Sequence, residues 1–216
     1  MSLKIEKLVM GPMENNVYLL ADEETRQAVV IDPSFEAEQV LARLAERNWM
    51  LKALWVTHPH FDHIAGVATL REAFVPPVPL VMTAEAYSWA QEETQPAPWA
   101  RDLTPLPPAD FPILQGQKLA LNRAGQNYIA EIREVPGHCP GSVIYYLPSL
   151  ACAFVGDAIF HESIGNTSFR GGDFALLEKS IREQIFSLPD RTRLLPGHGV
   201  ETTVLHEKRH NPYLSA

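Results

Sequence analysis

The residues from Thr57 to His63 place three histidines and one aspartate within six positions, directly after the apolar run 53–56. Neutral imidazole nitrogen and carboxylate oxygen are the ligand types that suit divalent zinc, iron and manganese ions. In an extended segment, residues two apart point to the same side, so His58 and His60 can share one metal ion. Asp62 and His63 lie beyond a bend, displaced towards a second position. The segment therefore predicts a metal site.

The simplest alternative for this segment is a polar loop in which Asp62 caps the following helix. That interpretation leaves four ligand-type side chains at the end of a buried strand without the partners that offset the cost of their desolvation. We therefore favour metal binding.

Three further residues of ligand type are His138, Asp157 and His198, and a glycine precedes each of them at the end of a predicted strand. Glycine allows the backbone to bend there and to come close to an ion. Taken singly, each residue has an ordinary explanation, such as a Gly-His turn or a loop-capping aspartate. Together with the first segment they supply five histidines and two aspartates, which is enough for two metal ions.

The elements that would present these residues follow from hydrophobic periodicity and turn signals. Strands are predicted at 3–10, 16–20, 28–31, 52–56, 80–83, 118–121, 129–135, 143–147 and 151–155, and a short strand at 194–195 leads into the segment that carries His198. Helices are predicted from residue 34 or 36 to 45, at 64–74, at 84–93 and at 174–188, the last with Asp173 as its N-cap. Strands come first and helices alternate with strands later, which indicates a mixed α/β layered architecture. The proline-rich segment from Gln95 to Phe111 is either an ordered loop over the site or a tether.

Length and composition narrow the class of protein. The 216 residues, 46% of them hydrophobic, fit one domain over 1–216 with a sizeable core. A formal charge of −8 argues against a nucleic-acid groove or an anionic membrane surface as partner, which leaves a small molecule. The amino end shows no secretory signal, and Cys139 and Cys152 make no disulfide framework, so a cytoplasmic location is expected. The oligomeric state is open.

These motifs resemble those of the metallo-β-lactamase superfamily, and of its glyoxalase II branch in particular. The matching segments are 57–63, 136–142, 155–157 and 196–199, and residues 31–33 are similar to a strand end of the family. The resemblance spans nearly the whole chain. It implies an α/β fold in the form of a four-layer αββα sandwich, with two mixed β-sheets flanked by helices and the metals at one edge between the sheets.

The resemblance also implies a ligand set for two divalent ions, with zinc expected and iron or manganese as alternatives. By this match the first ion is held by His58, His60 and His138. The second ion is held by Asp62, His63 and His198. Asp157 matches the carboxylate that bridges the two ions.

The chain departs from the family pattern at several positions. Cys139 stands where threonine is usual, and we expect it beside the site rather than as a ligand, because His138 fills that role. Asn166 and Ser168 replace the arginine and aspartate that glyoxalase-II-like relatives often carry. The helical glutathione-binding domain of full-length glyoxalase II has no counterpart after His198, so a smaller substrate-binding surface is expected. Three further histidines match no ligand position and are expected to be structural or exposed: His161, His206 and His210.

The expected chemistry is metal-dependent hydrolysis of a thioester. Two neighbouring divalent ions acidify a shared water, and the resulting hydroxide can attack a carbonyl carbon. Asp62 is the candidate catalytic residue that orients it. A thiolate leaves without protonation near neutral pH, whereas an amide nitrogen needs an acid, so an acyl-glutathione is the implied substrate class.

Three alternatives stay open on sequence alone. A persulfide dioxygenase of the same fold would hold a single iron through the residues matching His58, His138 and Asp157. A lactone hydrolase would use the same binuclear centre, whereas β-lactam hydrolysis is disfavoured by the missing secretory signal. A domain that keeps its metals only for structure or redox sensing would show no rate above background on esters or thioesters.

Overall fold

The computed structural model describes residues 2–92, 106–121 and 129–214, which form two facing six-stranded sheets with helices outside them. The first sheet has the order β1-β2-β3-β4-β5-β6. Its first three strands are antiparallel neighbours, and β3 to β6 run parallel. The strand bounds are Leu3–Met10 for β1, Asn15–Asp22 for β2, Gln27–Ile31 for β3, Met50–Trp55 for β4, Leu80–Met82 for β5 and Phe111–Pro112 for β6.

Helices follow each of the parallel strands β3, β4 and β5. Helix α1 spans Ala37–Arg47 and connects β3 to β4. Helices α2 (Phe61–Ile64) and α3 (Val67–Glu72) lie between β4 and β5, and α4 (Ala84–Glu92) follows β5. This alternation is the pattern that a parallel sheet requires, because a parallel connection must return along the sheet face.

The second sheet has the order β14-β13-β10-β9-β8-β7, with one parallel pair, β10 with β13. Its strands are Lys118–Leu119 (β7), Ala130–Glu134 (β8), Val143–Leu147 (β9), Cys152–Gly156 (β10), Arg193–Pro196 (β13) and Thr202–Thr203 (β14). A short hairpin of β11 (Ile159–Phe160) and β12 (Ser163–Ile164) follows β10. Helix α5 (Phe174–Ser180) continues into a π-helical turn at 181–185, and helix α6 spans Val204–His210.

Three apolar layers hold these elements together, and strand alternation assigns each side chain to a layer. On β2, Leu19 faces the layer shared with α1, α3 and α4, whereas Leu20 faces the second sheet. On β9, Tyr145 faces the first sheet, whereas Ile144 packs with α5 and α6. Successive residues of a strand point to opposite faces, so both sheets are covered on both sides. The arrangement is the expected αββα sandwich of two mixed sheets.

The predicted strands are present, with ends that differ by a few residues. The predicted N-cap is also confirmed, because the Asp173 carboxylate accepts a hydrogen bond from the backbone N–H of Leu176. The predicted helix 174–188 is shorter, with a π-helical turn in place of its second half. Most of the Gln95 to Phe111 segment lies outside the described residues, as do residues 122–128 between the predicted strands 118–121 and 129–135. Within the described ranges, no helix is long and apolar enough to cross a membrane.

The predicted helix at 64–74 is shorter in the structure, where α3 spans Val67–Glu72, and a separate helical turn, α2, precedes it across Ala65 and Gly66. The backbone N–H of Gly66 donates to Pro33 O at 2.9 Å, so this turn packs directly on the end of β3. A Cβ atom at Gly66 would lie only 2.3 Å from Ser34 O. The first helix also begins earlier, at Phe61 with His60 as N-cap, so Asp62 is not the capping residue.

We expect Gly66→Ala to lower the free energy of unfolding by about 1–3 kcal/mol, because an added methyl group must displace the backbone at the end of β3. Ala73→Gly, at the exposed end of α3, is the matched control and costs at most about 1 kcal/mol. Urea unfolding of the three proteins at equal metal loading measures both values. Wild-type stability in Gly66→Ala would contradict the close packing at this turn.

Candidate metal centre

The ligand-type residues lie at one edge of the sandwich, where strands from both sheets end. Residues 58 to 63 follow β4 of the first sheet. The other three, His138, Asp157 and His198, come after β8, β10 and β13 of the second sheet. Those three strands point the same way, because β8 and β10 are both antiparallel to β9 and β13 is parallel to β10. The sheet topology therefore brings distant parts of the sequence to one place.

Hydrogen bonds between the two sheets fix the position of these strand ends. Val143 N–H donates to Thr57 O at 2.8 Å, and Asn16 N–H donates to Gly197 O at 2.7 Å. The buried hydroxyl of Tyr145 reaches Val56 O at 2.8 Å across the same gap. The edge is therefore held by backbone groups of both sheets on either side of the centre.

The first cluster of ligand atoms comprises His58, His60 and His138, whose nitrogens all lie within 4.8 Å of one another. His138 Nε2 is 2.9 Å from His60 Nδ1. His58 and His138 are buried, and His60 is half-buried. Three imidazoles at this spacing can converge on one ion.

The second cluster comprises Asp62, His63 and His198. His63 Nε2 lies 3.3 Å from His198 Nε2, and Asp62 Oδ2 lies 3.4 Å and 3.3 Å from those two nitrogens. Two ligands on a tetrahedral zinc ion, each at about 2.1 Å, stand about 3.4 Å apart. The spacing of this cluster is therefore that of a coordination shell.

Asp157 lies between the two clusters. Its Oδ2 atom is 3.7 Å from His138 Nε2 and 3.6 Å from His198 Nε2, and its Oδ1 atom is 3.4 Å from His63 Nε2. Among the described residues, the buried atoms His58 Nε2 and Asp157 Oδ1 have no hydrogen-bond partner. Buried polar atoms without partners are costly, and bound cations would provide them here. The donor set therefore fits divalent metal ions.

The carboxylate of Asp32 supports residues of both clusters. It accepts hydrogen bonds from Thr57 N and Thr57 Oγ1, both at 2.7 Å, and lies 3.1 Å from His63 Nδ1. Thr57 Oγ1 is in turn 3.1 Å from His58 Nδ1. Such carboxylate–histidine contacts orient a metal-binding imidazole and raise its basicity. Sequence reasoning matched Asp32 to a strand end of the family but gave it no role. The available signal was its position directly after β3, which is like that of Asp157 directly after β10.

Two further imidazoles are anchored by backbone carbonyl groups. His138 Nδ1 lies 2.9 Å from Asn166 O, and His198 Nδ1 lies 3.0 Å from Met13 O. A carbonyl oxygen only accepts, so both Nδ1 atoms carry the proton and Nε2 keeps its lone pair for a metal. The departure at Asn166 therefore leaves this contact intact, because the backbone makes it. The Asn166 side chain instead accepts from the N–H and the hydroxyl of Ser168, which closes the loop.

Asn15 is a site residue that sequence reasoning missed, and no motif signal marks it. Its buried amide donates to Asp62 Oδ2 at 2.7 Å and lies 3.5 Å from His198 Nε2. Its backbone pairs with His198 in an isolated antiparallel bridge. The start of β2 thus fixes both Asp62 and His198.

Burial and local charge set the protonation of the centre. Burial, together with the neighbouring imidazoles, lowers the pKa of His58 and of His138, and it lowers the pKa of His60 to about 4. These rings are therefore neutral near pH 7, the form that binds metal. At His63, burial is outweighed by the carboxylates of Asp62 and Asp157, which raise its pKa. Metal binding at that ring must therefore displace a proton.

The open side of the centre carries aromatic side chains. The ring centroids of Trp89 and Phe169 lie 5.5 Å and 6.1 Å from that of His60, and 56% of the Phe169 surface is exposed. Arg170 lies over the Trp89 ring and forms an ion pair with Glu92 at 3.0 Å. Cys139 is fully buried and belongs to none of the ligand clusters among the described residues. The structure thus brings together all seven predicted ligands beside an aromatic rim.

Comparison with known proteins agrees with this geometry. A family model for the metallo-β-lactamase superfamily matches residues 10–198. The chain belongs to the metallo-β-lactamase superfamily. This superfamily binds metal ions and consists largely of metal-dependent hydrolases, and the chain shares its fold.

Two curated relatives carry different activities in their names. The chain is 33% identical over 225 residues to hydroxyacylglutathione hydrolase GloC of Haemophilus influenzae, covering 99% of each protein. It is 34% identical over 204 residues to the mitochondrial persulfide dioxygenase ETHE1 of Mus musculus, covering 92% of this chain and 70% of the relative.

Two solved structures are similar along nearly the whole chain. BLEG-1 B3 metallo-β-lactamase superposes with a TM-score of 0.88 at 33% identity, over 99% of this chain and 100% of the other. TTHA1623 in a di-iron-bound form superposes with a TM-score of 0.83 at 33% identity, over 97% and 100% of the two chains. Family membership thus gives the fold and the capacity to bind metal ions, and it does not distinguish between the reactions for which the relatives are named.

We expect Asp32→Asn to weaken metal binding by about 10–100-fold. The carboxylate accepts from three donors, and the amide NH2 of asparagine, which is itself a donor, cannot accept in the place of one carboxylate oxygen. Competition with a chromophoric chelator measures the affinity. Asp22→Asn is the matched control. Asp22 is an equally buried carboxylate that accepts hydrogen bonds from backbone and hydroxyl donors, but it lies at the last residue of β2, at the end of that strand away from the metal centre. Equal affinities in the two variants would contradict the supporting role of Asp32.

Proposed function

We propose that this protein is a binuclear metal-dependent thioesterase of the glyoxalase II type that cleaves an acyl-glutathione or a related thioester. One observation carries the proposal: two complete clusters of ligand atoms with a single carboxylate, Asp157, within reach of both. The similarity to a hydroxyacylglutathione hydrolase over the full length of both chains supports it. The similarity to a structure in a di-iron form is in keeping with two ions at such a centre.

In this proposal each cluster would hold one ion, with Asp157 as the carboxylate within reach of both. His58, His60 and His138 would hold the first ion, and Asp62, His63 and His198 would hold the second. When bound, such ions lower the pKa of a coordinated water and polarise a carbonyl group. Zinc is the ion we favour, with iron and manganese as alternatives.

Asp62 is the residue proposed to orient the attacking water. Burial raises its pKa, but the neighbouring imidazoles of His63 and His198 and a hydrogen bond from the Asn15 amide outweigh burial and lower that pKa. The carboxylate is therefore ionised near neutral pH and can accept a hydrogen bond from water. The amide of Asn15 holds Asp62 Oδ2 in one orientation beside His63 and His198.

The leaving group distinguishes a thioester from an amide. In the described part of the chain, the carboxylates at the centre are Asp32, Asp62 and Asp157, and each is engaged with imidazole groups. None of them is placed to protonate a poor leaving group. A thiolate needs no such acid, because the pKa of a thiol is only about 8.5. The half-buried ring of Trp89 and the exposed ring of Phe169 offer an apolar surface beside His60 for part of the substrate.

A persulfide dioxygenase is the second candidate, favoured by the 34% identity to ETHE1. His58, His138 and Asp157 would then hold a single iron, and Asp157 Oδ2 does lie 4.0 Å and 3.7 Å from the two imidazole nitrogens. That reaction leaves His60, Asp62, His63 and His198 without a ligand role. The similarity to BLEG-1 also places β-lactams and lactones in any substrate panel.

The test is a substrate panel with the metal-free protein restored separately with zinc, iron and manganese. We expect S-lactoylglutathione or another acyl thioester to be hydrolysed well above the rates on a lactone and a β-lactam. Metal analysis should give two ions per chain. Oxygen uptake that depends on glutathione persulfide, with one iron per chain and no thioester turnover, would establish the dioxygenase instead. Turnover of none of the panel would refute the proposed activity.

The bridging role of Asp157 has its own test. We expect Asp157→Ala to lose metal from both clusters, because one carboxylate serves two ions. Asp190→Ala, which removes an exposed carboxylate paired with Lys208, should keep both equivalents. Metal analysis after dialysis against a weak chelator compares the two variants. Loss of a single equivalent from Asp157→Ala would show that the residue binds only one ion.

A further inference from the structure

A third cluster of ligand atoms lies outside the centre and comprises His161, Glu162 and His206. His161 and Glu162 form the turn between β11 and β12, and His206 lies in the first turn of α6. His206 Nε2 is 2.9 Å from Glu162 Oε1, and His161 Nε2 is 4.0 Å from the same oxygen. The two imidazole rings stack with centroids 4.8 Å apart and planes inclined by 21°. One ligand atom from each of the three residues thus lies within 4.8 Å of the other two.

A buried network behind the cluster fixes the hairpin to α6. Glu207, which is 1% exposed, accepts from the backbone N–H of Glu162 at 3.0 Å and from Asn211 Nδ2 at 2.8 Å. The same Asn211 amide donates to Ser163 O at 3.0 Å. Because these bonds reach the backbone of the turn, they fix the turn that carries His161 and Glu162 against α6, which carries His206.

The simpler interpretation, an isolated His206–Glu162 pair, accounts for only part of this arrangement. Such a pair at a surface is worth little, because both side chains are well solvated, with 34% and 48% of their surfaces exposed. It gives no reason for the second imidazole to stack at ligand distance beside the same carboxylate. Two imidazole nitrogens and a carboxylate oxygen are instead a donor set typical of zinc, nickel and copper ions.

We propose that His161, Glu162 and His206 form a surface site for a divalent transition metal ion, separate from the binuclear centre. Water completes the coordination in this exposed position. His210 is a fourth candidate ligand, because its ring centroid lies 4.8 Å from that of His206 one helical turn further along α6.

The ion would cross-link the hairpin that follows Asp157 to the carboxyl-terminal helix. Phe160, next to His161, lies with its ring centroid 6.2 Å from that of His198, so the site and the centre are neighbours without sharing a ligand. Binding at this site therefore stabilises the protein against unfolding and supplies no group to the reaction.

The experiment counts metal in untagged protein whose centre is already loaded. Equilibrium dialysis against zinc should give one more ion per chain for the wild type than for His161→Gln/His206→Gln. Lys208→Gln, on the same helix, is the matched control and should keep the extra ion.

With copper, the electron paramagnetic resonance spectrum should show coordinating imidazole nitrogen in the wild type and lose that signal in the double variant. Addition of zinc should raise Tm in the wild type and in Lys208→Gln only.

The variants also separate this site from the binuclear centre. The chain has eight histidines, and five of them belong to the binuclear centre. The remaining three, His161, His206 and His210, are therefore the histidines that can bind a metal ion at the surface site. The tightly bound metal that survives dialysis should be the same in every variant. Equal extra binding in wild type and double variant would overturn the site, whatever the activity of the centre. Loss of the extra ion in His210→Gln would add that residue to the ligand set.

Discussion

The buried carboxylate of Asp32 is the contact on which both ligand clusters depend. It lies at the end of β3 and accepts two hydrogen bonds from Thr57, the first residue of the histidine-rich segment, while it contacts His63 beyond the bend. Through the Thr57 hydroxyl it also reaches His58. One residue therefore sets the spacing between the two halves of the segment. An acceptor-only group is required at this position, because three donors converge on it.

The sandwich places this segment against the second sheet with little freedom. Large side chains fill the space between the sheets, with the Trp55 and Tyr145 rings stacked at 5.1 Å and Tyr18 and Phe154 at the same distance. Both tyrosines direct their hydroxyl groups to backbone carbonyls beside the centre, Tyr145 to Val56 O and Tyr18 to Pro196 O. The same side chains thus fill the core and tie the strand ends together. Core packing and ligand geometry are therefore coupled.

Members of this superfamily with different reactions share this frame, as the relatives named for a thioesterase and a persulfide dioxygenase illustrate. The strand ends supply the ligand atoms, whereas the metal and the residues around the opening decide the chemistry. In this chain the opening beside His60 is lined by Trp89 and Phe169. Those rings contribute apolar contact area at the opening, which the proposed thioester substrate would use.

The sequence by itself determined the residue types and the local geometry. Alternating apolar residues fixed the strands, and the position of His58, His138, Asp157 and His198 directly after strands identified the ligand candidates. The resemblance of these motifs to the superfamily gave the layered fold. These properties are local, because the side-chain direction in a strand and the ligand type are set within a few residues.

Only the tertiary structure decided the contacts between residues that are distant in sequence. It assigned Asp32 and Asn15 to the support of the ligands, and it showed that the backbone of Asn166, not its side chain, anchors His138. It began the predicted helix 64–74 only at Val67, after Gly66, where Ser34 O lies too close for a Cβ atom. It also brought His161, in the turn between β11 and β12, against His206 of α6, although β13 and β14 separate the two residues in sequence. These distances depend on how the sheets and helices pack, and no local pattern encodes them.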